Sequence, residues 1–204
     1  PAIDLKGALT TLKVKNHAYL REDDLPIFMS KLDQYEGDRL TQIAVKFILY
    51  TFVRTSELRL AVWDEIDLDG INPIWKIPSE RMKMKRPHYV PLVPQTIQLL
   101  DEVRTLKNSK DLIFPSQKNI RKAMSENTLL YALYRMGYHS RTTVHGFRST
   151  ASTLLNESRK WHPDVIERQL AHVEGNKVRA AYNHAEYLDE RREMMKWWAD
   201  KLDE

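Results

Sequence analysis

VHGFRSTASTLLNESRKWHPDVIERQLAHVEGNKVRAAY, residues 144–182, is the stretch around which the rest of the chain is arranged. Two histidines, an arginine and a tyrosine fall here at the edges of helical patterns, where side chains can converge on a shared ligand. His145 and Arg148 are three apart, so a helix starting near Val144 projects both from one face of its first turn. Its positive end adds to them, and these residue types suit a phosphate. His172 follows the apolar pattern Val165, Ile166, Gln169, Leu170 and so sits where the next helix stops. Tyr182 comes ten residues later.

Around this stretch the composition is that of an ordinary globular chain. With 204 residues, 42% of them hydrophobic, it can bury a proper core, and the length favours one domain. No apolar run approaches the roughly 20 residues that span a bilayer, and PAIDLKGALT lacks the regions of a signal peptide, so a cytoplasmic or nucleoid location and no membrane partner are expected. Zero cysteines exclude disulfides, thiolate nucleophiles and Cys-type zinc sites, so covalent catalysis must use oxygen or nitrogen. Net charge is only +4, but it is unevenly placed. Residues 76–90 carry Lys76, Arg81, Lys83, Lys85 and Arg86 against Glu80, and residues 121–148 carry Arg121, Lys122, Arg135, Arg141 and Arg148 against Glu126. The tail 186–204 holds seven carboxylates against four basic side chains and is not expected to lie on DNA.

Residues 1–20 show no clean periodicity and read as a linker from a missing N-terminal region, the opening Pro1 suggesting a cut from something longer. A first helix opens with Asp23 or Asp24 as cap and Pro26 near its first position. Leu40, Ile43, Ala44, Phe47, Ile48 and Thr51 recur at helical spacing and predict an amphipathic helix with a buried face. A short helix, SELRLAVW, follows a tight junction that holds Arg54 and Glu57. From Asp64 the period changes: DEIDLDG ends in a turn, and INPIWKIP and PHYVPL are β-type runs flanking SERMKMKR, which predicts a small antiparallel sheet carrying a basic hairpin. Helices resume at Pro94; DLIFP is a short buried strand or extended segment. Ser125 caps ENTLLYALYRM, which Gly137 ends, and Pro163 opens WHPDVIERQLAH. Two helical segments, 177–187 and 188–202, close the chain, the last with an apolar stripe (Leu188, Met195, Trp198, Leu202) read as too narrow for a core helix and suited to docking on a neighbour. The fold class is therefore mainly α with a small antiparallel β-sheet.

Taken singly, each polar residue has a simpler explanation. His145 suits a helix cap, His172 a helix C-terminus, Arg54 a surface ion pair and Tyr182 a core aromatic. RMKMKR reads equally as a solvated turn. Together, Arg54 in TFVRTSEL, Lys83 in ERMKMKRPHYVPL, His145 and Arg148 in HGFRST, His172 in QLAH and Tyr182 in RAAYNHAEY follow one order along the chain. That order and wording resemble the catalytic domain of the tyrosine recombinases, in particular the integrases of temperate phages and genomic islands, from about Leu25 to Met195. The resemblance matches Arg54, with Glu57 behind it, to the family's Arg-x-x-Glu-Leu, and His145 and Arg148 to its His-x-x-Arg. His172 matches Leu-x-His, and Tyr182 the nucleophile. Counting back from Pro91 gives Lys83 as the hairpin lysine, with Lys85 and Arg86 as rivals. The last gap is ten residues where many relatives have nine, which leaves Tyr187 as the alternative nucleophile.

The chemistry such residues permit follows from their types. A tyrosine oxygen attacking a DNA phosphodiester forms a phosphotyrosyl bond that stores the energy of the broken link, so rejoining needs no ATP. Arg54 and Arg148 grip the non-bridging oxygens, His172 adds a hydrogen bond, His145 is the base or proton relay, and Lys83 protonates the leaving 5′-oxygen. Glu57 orients Arg54. Arg81, Lys85, Arg86, His88 and Arg141 are the candidate DNA contacts, while His17, His139, His162 and His184 are surface or structural. A metal centre is the chemical rival, yet there is no His-Glu-x-x-His and the histidines sit among cations, so no metal and no cofactor are expected.

The resemblance implies a catalytic domain over 21–204, with a helical tail 188–204 packing on an adjacent subunit, forming half of a C-shaped clamp on duplex DNA. It implies double-stranded attachment sites as substrate, other recombinase protomers in a tetrameric synapse, and accessory DNA-bending and directionality proteins, in the bacterial cytoplasm at the nucleoid. Relaxation of supercoils in the manner of a type IB topoisomerase, and a non-catalytic DNA-binding module of the same fold, are the alternatives. Plasmid relaxation without a specific site, or activity surviving Tyr182→Phe, would distinguish them.

Overall fold

Eleven of the thirteen residues of one helix are buried, although its sequence alternates in helical period. This helix, Arg39–Thr51, is the axis of the molecule. The computed structural model describes residues 18–106, 109–172 and 185–204. In chain order these form α1 (Leu25–Asp33), α2 (Arg39–Thr51), α3 (Thr55–Arg59), β1 (Ile66–Asp67), β2 (Ile74–Ile77), β3 (His88–Pro91) and α4 (Pro94–Thr105). There follow β4 (Pro115–Ser116), β5 (Asn119–Ala123), α5 (Thr128–Arg135), α6 (Gly146–Ser158), α7 (Pro163–Gln169) and α8 (Leu188–Asp203). A helix buried on nearly every side must be surrounded, and α1, α3, α4, α5, α6 and α8 all pack on α2. Asp38 caps it by accepting from the Thr41 amide at 2.8 Å. No described helix is long and apolar enough to cross a membrane.

The sheet is antiparallel in the order β1-β2-β3, so DEIDLDG contributes a third strand before its turn. Its register decides which side chains face inward. Trp75 lies opposite Val90 and Ile77 opposite His88, and strand alternation puts all four on the core face. Each of them is buried, whereas Lys76 points to solvent. Phe47 of α2 meets Trp75 and Phe114 at ring distances of 5.9 and 5.7 Å, joining sheet and helices in one core.

Several expectations shift by a few residues, each for a local reason. DLIFP runs into a two-stranded hairpin, β4–β5, that the sequence did not suggest, because β5 (NIRKA) has no buried alternation to reveal it. The α5 helix starts at Thr128, with Asn127 as cap and the Ser125 hydroxyl accepting from the Asn127 amide at 3.4 Å. Gly137 does end that turn, at a φ of 83° that L residues rarely adopt. The α6 helix begins at Gly146, not Val144, because the Thr143 hydroxyl takes the Gly146 amide at 2.9 Å. The body also takes in the end of the expected linker, at Leu20. Leu20 is buried and exchanges hydrogen bonds of 3.0 Å with the Thr150 hydroxyl in both directions. Residues 1–17 of the expected linker lie outside the described residues.

The closing helix is the largest correction. Arg191, Met194, Met195, Trp198, Ala199 and Leu202 of α8 are all buried within their own chain. The stripe is wide enough for a core helix once Met194, Ala199 and Arg191 are counted, and α8 packs on α1, α2, β3 and α7. The Trp198 indole donates to the Leu49 carbonyl at 3.0 Å and meets the Phe52 ring edge-on. The expected segment 177–187 falls almost wholly in 173–184, outside the described residues.

Candidate active site

The site is assembled on the C-terminal end of α7. That helix ends in a Schellman motif: the His172 amide reaches back to the Glu167 carbonyl at 3.0 Å and the Ala171 amide to that of Arg168 at 3.1 Å. Such a motif needs a left-handed residue, and Ala171 supplies it at φ 48° without being glycine. The carbonyls of the next three residues then face outward. His88 hydrogen-bonds to the carbonyl of Gln169, Arg148 Nη2 donates to Leu170 at 2.6 Å, and Arg54 Nη2 donates to Ala171 at 3.1 Å. A helix C-terminus carries partial negative charge, so it is a natural seat for two guanidiniums.

Arg148 rises from the first turn of α6 into the interior, with only 4% of its surface exposed. Its Nη1 donates to the Phe52 carbonyl at 2.6 Å, where α2 ends in a left-handed turn at φ 40°. Burial, and then the nearby charge of Arg54, lower its pKa to about 10. The Arg148 Nε–H is buried with no hydrogen-bond partner among the described residues. Arg54 is held differently. The Glu57 carboxylate, itself buried, takes the Arg54 backbone amide at 2.8 Å and its Nη1 at 2.7 Å. Glu57 therefore fixes both the α3 start and the guanidinium.

His172 completes the group. Its Nε2 lies 3.1 Å from Arg148 Nη2, and its Nδ1 is 2.8 Å from the Glu167 carboxylate. Arginine can only donate, so Nε2 accepts and the proton sits on Nδ1, facing Glu167. His145 occupies the cap position of α6 and is exposed, while Arg148 one turn on is buried. The structure thus brings Arg54, Glu57, Arg148 and His172 into one contiguous set. The two guanidiniums form a donor-rich, cationic pocket suited to an anion, with the His172 ring bonded to Arg148 at its edge.

Residues 18–188 match the phage integrase family. The chain belongs to the phage integrase family of tyrosine recombinases. The integrase of Enterobacteria phage P4 is 48% identical over 218 residues, which cover all of this chain and 49% of that protein. The prophage integrase IntS of Escherichia coli (strain K12) is 40% identical over 205 residues, covering all of this chain and 52% of the relative. The chain spans about half the length of the curated relatives it matches. Among solved structures, XerH site-specific recombinase bound to difH substrate superimposes with a TM-score of 0.62 at 18% identity, over 89% of this chain and 56% of that one. A lambda integrase(75–356) dimer bound to a COC′ core site gives 0.60 at 16% identity, over 82% of this chain and 62% of that one. The fold of this integrase-family chain is thus that of the tyrosine recombinase catalytic domain.

The remaining expected residues divide by burial. Lys83, Lys85 and Arg86 are exposed on the turn between β2 and β3, which Met82 anchors by burial and Lys85 bends at φ 53°. Arg81 is not on that surface. It pairs with the buried Glu65, which also accepts the Trp75 indole at 2.9 Å, and donates to the Glu57 carbonyl, so it braces the turn on α3. His88 is likewise interior, by strand parity. Its Nε2 has no hydrogen-bond partner among the described residues, and burial, with Arg191, Arg148 and Arg54 nearby, holds its pKa well below the ordinary histidine value. Arg141 is exposed, 3.7 Å from Asp24 and over the Tyr138 ring at 5.0 Å. Tyr182 lies outside the described residues; its alternative, Tyr187, is the cap residue of α8 at φ 48° and packs on the core.

Three functional candidates escaped the sequence reading: Glu167, Gln169 and Arg191. The signal for Arg191 was present, since it falls on the same helical stripe as Met195, Trp198 and Leu202. An arginine on an apolar face is a buried arginine. Among the described residues no group of three or more His, Cys, Asp or Glu side chains is placed to hold a metal ion.

Proposed function

We propose that the chain is the catalytic domain of a site-specific DNA recombinase, an integrase that cuts and rejoins duplex DNA through a 3′-phosphotyrosyl intermediate. The observation that carries this reading is the pairing of Arg148 with His172 at 3.1 Å beside Arg54 on the α7 terminus, immediately before the segment that contains Tyr182. A phosphodiester entering there meets N–H donors from two guanidiniums. In the transition state negative charge grows on the non-bridging oxygens, where preorganised donors in a dry site act most strongly. The Tyr182 oxygen attacks phosphorus, the P–O5′ bond breaks, and the 5′-oxygen takes a proton from Lys83. His145, at the mouth of α6, removes or relays the tyrosine proton. Rejoining reverses each transfer, so bonds are conserved and no ATP is consumed.

The proposed substrate is a double-stranded attachment site, and the proposed partners are further recombinase protomers in a four-subunit synapse. XerH recombinase has been seen bound to its difH substrate, and a lambda integrase tetramer bound to a Holliday junction. Accessory DNA-bending and directionality proteins belong to the same reading, as does a location in the bacterial cytoplasm at the nucleoid. The test is incubation of the full-length protein, in EDTA, with a nicked suicide duplex carrying its cognate core. An SDS-resistant protein–DNA adduct that Tyr182→Phe removes is expected. A wild type that forms none on that core overturns the reading.

A further inference from the structure

Arg191 is wholly buried, a costly place for a guanidinium. Its Nε and Nη2 both donate to the Gln169 side-chain oxygen, at 3.0 and 2.8 Å. Nη2 also donates to the Tyr89 carbonyl of β3, and Nη1 to the Glu186 carbonyl at 3.2 Å, with the Glu186 carboxylate 3.6 Å away. Glu186 in turn faces Arg168 of α7 at 3.8 Å. One cation therefore ties together α8, the last turn of α7, the third strand and the residues just downstream of 173–184.

Gln169 links this cation to the site. Its side-chain nitrogen lies 3.4 Å from the Thr51 carbonyl, next to the Phe52 carbonyl that holds Arg148, and its own carbonyl receives His88. The following two carbonyls hold Arg148 and Arg54. We propose that Arg191, acting through Gln169, is a positioning residue for the recombination site: it sets the α7 terminus that seats both arginines and ties Glu186 to it. This rests on the reading of the chain as a recombinase. Apolar residues of similar volume would pack the same space at less desolvation cost, whereas only a planar, multidentate donor can fix Gln169, Tyr89 and Glu186 relative to one another.

The experiment compares wild type, Arg191→Met, Gln169→Met and the double variant in the full-length protein on the suicide duplex. Melting temperature, DNA Kd and the first-order rate of adduct formation are measured for each. A positioning role lowers the adduct rate between about ten- and a hundredfold while DNA Kd stays within about twofold and the fold still melts cooperatively. Because the two residues act as one unit, the double variant is no slower than the worse single one. Rates within threefold of wild type overturn the proposal and leave the recombinase reading standing. A wild type without adduct overturns both. If Arg191→Met does not fold, Gln169→Met, a near-isosteric change, decides: a fall in rate at unchanged Kd supports the proposal, and an unchanged rate ends it.

Discussion

Arg148 Nη2 stands 3.1 Å from His172 Nε2, though Arg148 lies on α6 and His172 just past the end of α7, 24 positions apart. The Leu170 carbonyl at the end of α7 and the Phe52 carbonyl at the end of α2 hold Arg148, and the Glu167 carboxylate holds the His172 ring against it. Arg148 is charged where burial and Arg54 disfavour its charge, so an anion bound there relieves a cost that the free protein carries.

Inorganic phosphate or sulfate is therefore expected to stabilise the protein without any DNA. At a concentration about ten times its Kd the gain is roughly 1.4 kcal/mol, or about 2–4 °C per kcal/mol in melting temperature for a chain of this size. Arg148→Ala should abolish the shift in a thermal melt. A shift that survives would place the anion elsewhere.

Cleavage should separate the site residues by role. Arg54→Ala and Arg148→Ala each lower the rate of adduct formation by about 10²–10³. Tyr182→Phe removes the adduct altogether. Lys83→Ala slows cleavage of the ordinary phosphodiester but not of a substrate whose 5′-leaving atom is sulfur, which needs no proton. Lys85→Ala and Arg86→Ala leave that ratio unchanged, and a sulfur-rescued defect in either would transfer the acid role.

Buried His88 predicts a stability loss in mild acid. Its folded pKa lies well below the ordinary 6.5, because of burial and the facing charges of Arg191, Arg148 and Arg54. Below pH 6.5 the unfolded chain takes up a proton that the folded one refuses, so unfolding becomes easier as pH falls. The single-group limit is about 1.4 kcal/mol per pH unit. Urea unfolding at pH 7.5 and pH 5 should show a smaller acid loss for His88→Gln than for wild type.

The cis packing of α8 makes Trp198 a stability residue. Trp198→Ala removes a fully buried indole, its bond to the Leu49 carbonyl and its contact with Phe52. The expected cost is about 3–5 kcal/mol in urea denaturation. A loss below about 1 kcal/mol would mean that α8 contributes little to the isolated fold.

Much of the molecule was legible in order along the chain. The helical period of Leu40, Ile43, Ala44, Phe47, Ile48 and Thr51 specified α2, and Pro163 and Gly137 marked a helix start and an end, because periodicity and backbone geometry are local properties. The residue types around Arg54, Arg148 and His172 pointed to anion chemistry for the same reason. Exposure was harder to read. RMKMKR looked uniformly basic, yet Arg81 turns inward to Glu65 and His88 follows Val90 and Trp75 into the core, since pairing register assigns each face. The narrow stripe of α8 was misjudged because its width depends on Arg191, a charge that counts as apolar-facing only once Gln169, Tyr89 and Glu186 are in place. The sequence by itself determined which elements form and which chemistry is present. The tertiary structure alone decided that three consecutive carbonyls at the end of α7 hold His88, Arg148 and Arg54, because hydrogen bonds between residues far apart in the chain leave no periodic trace in it.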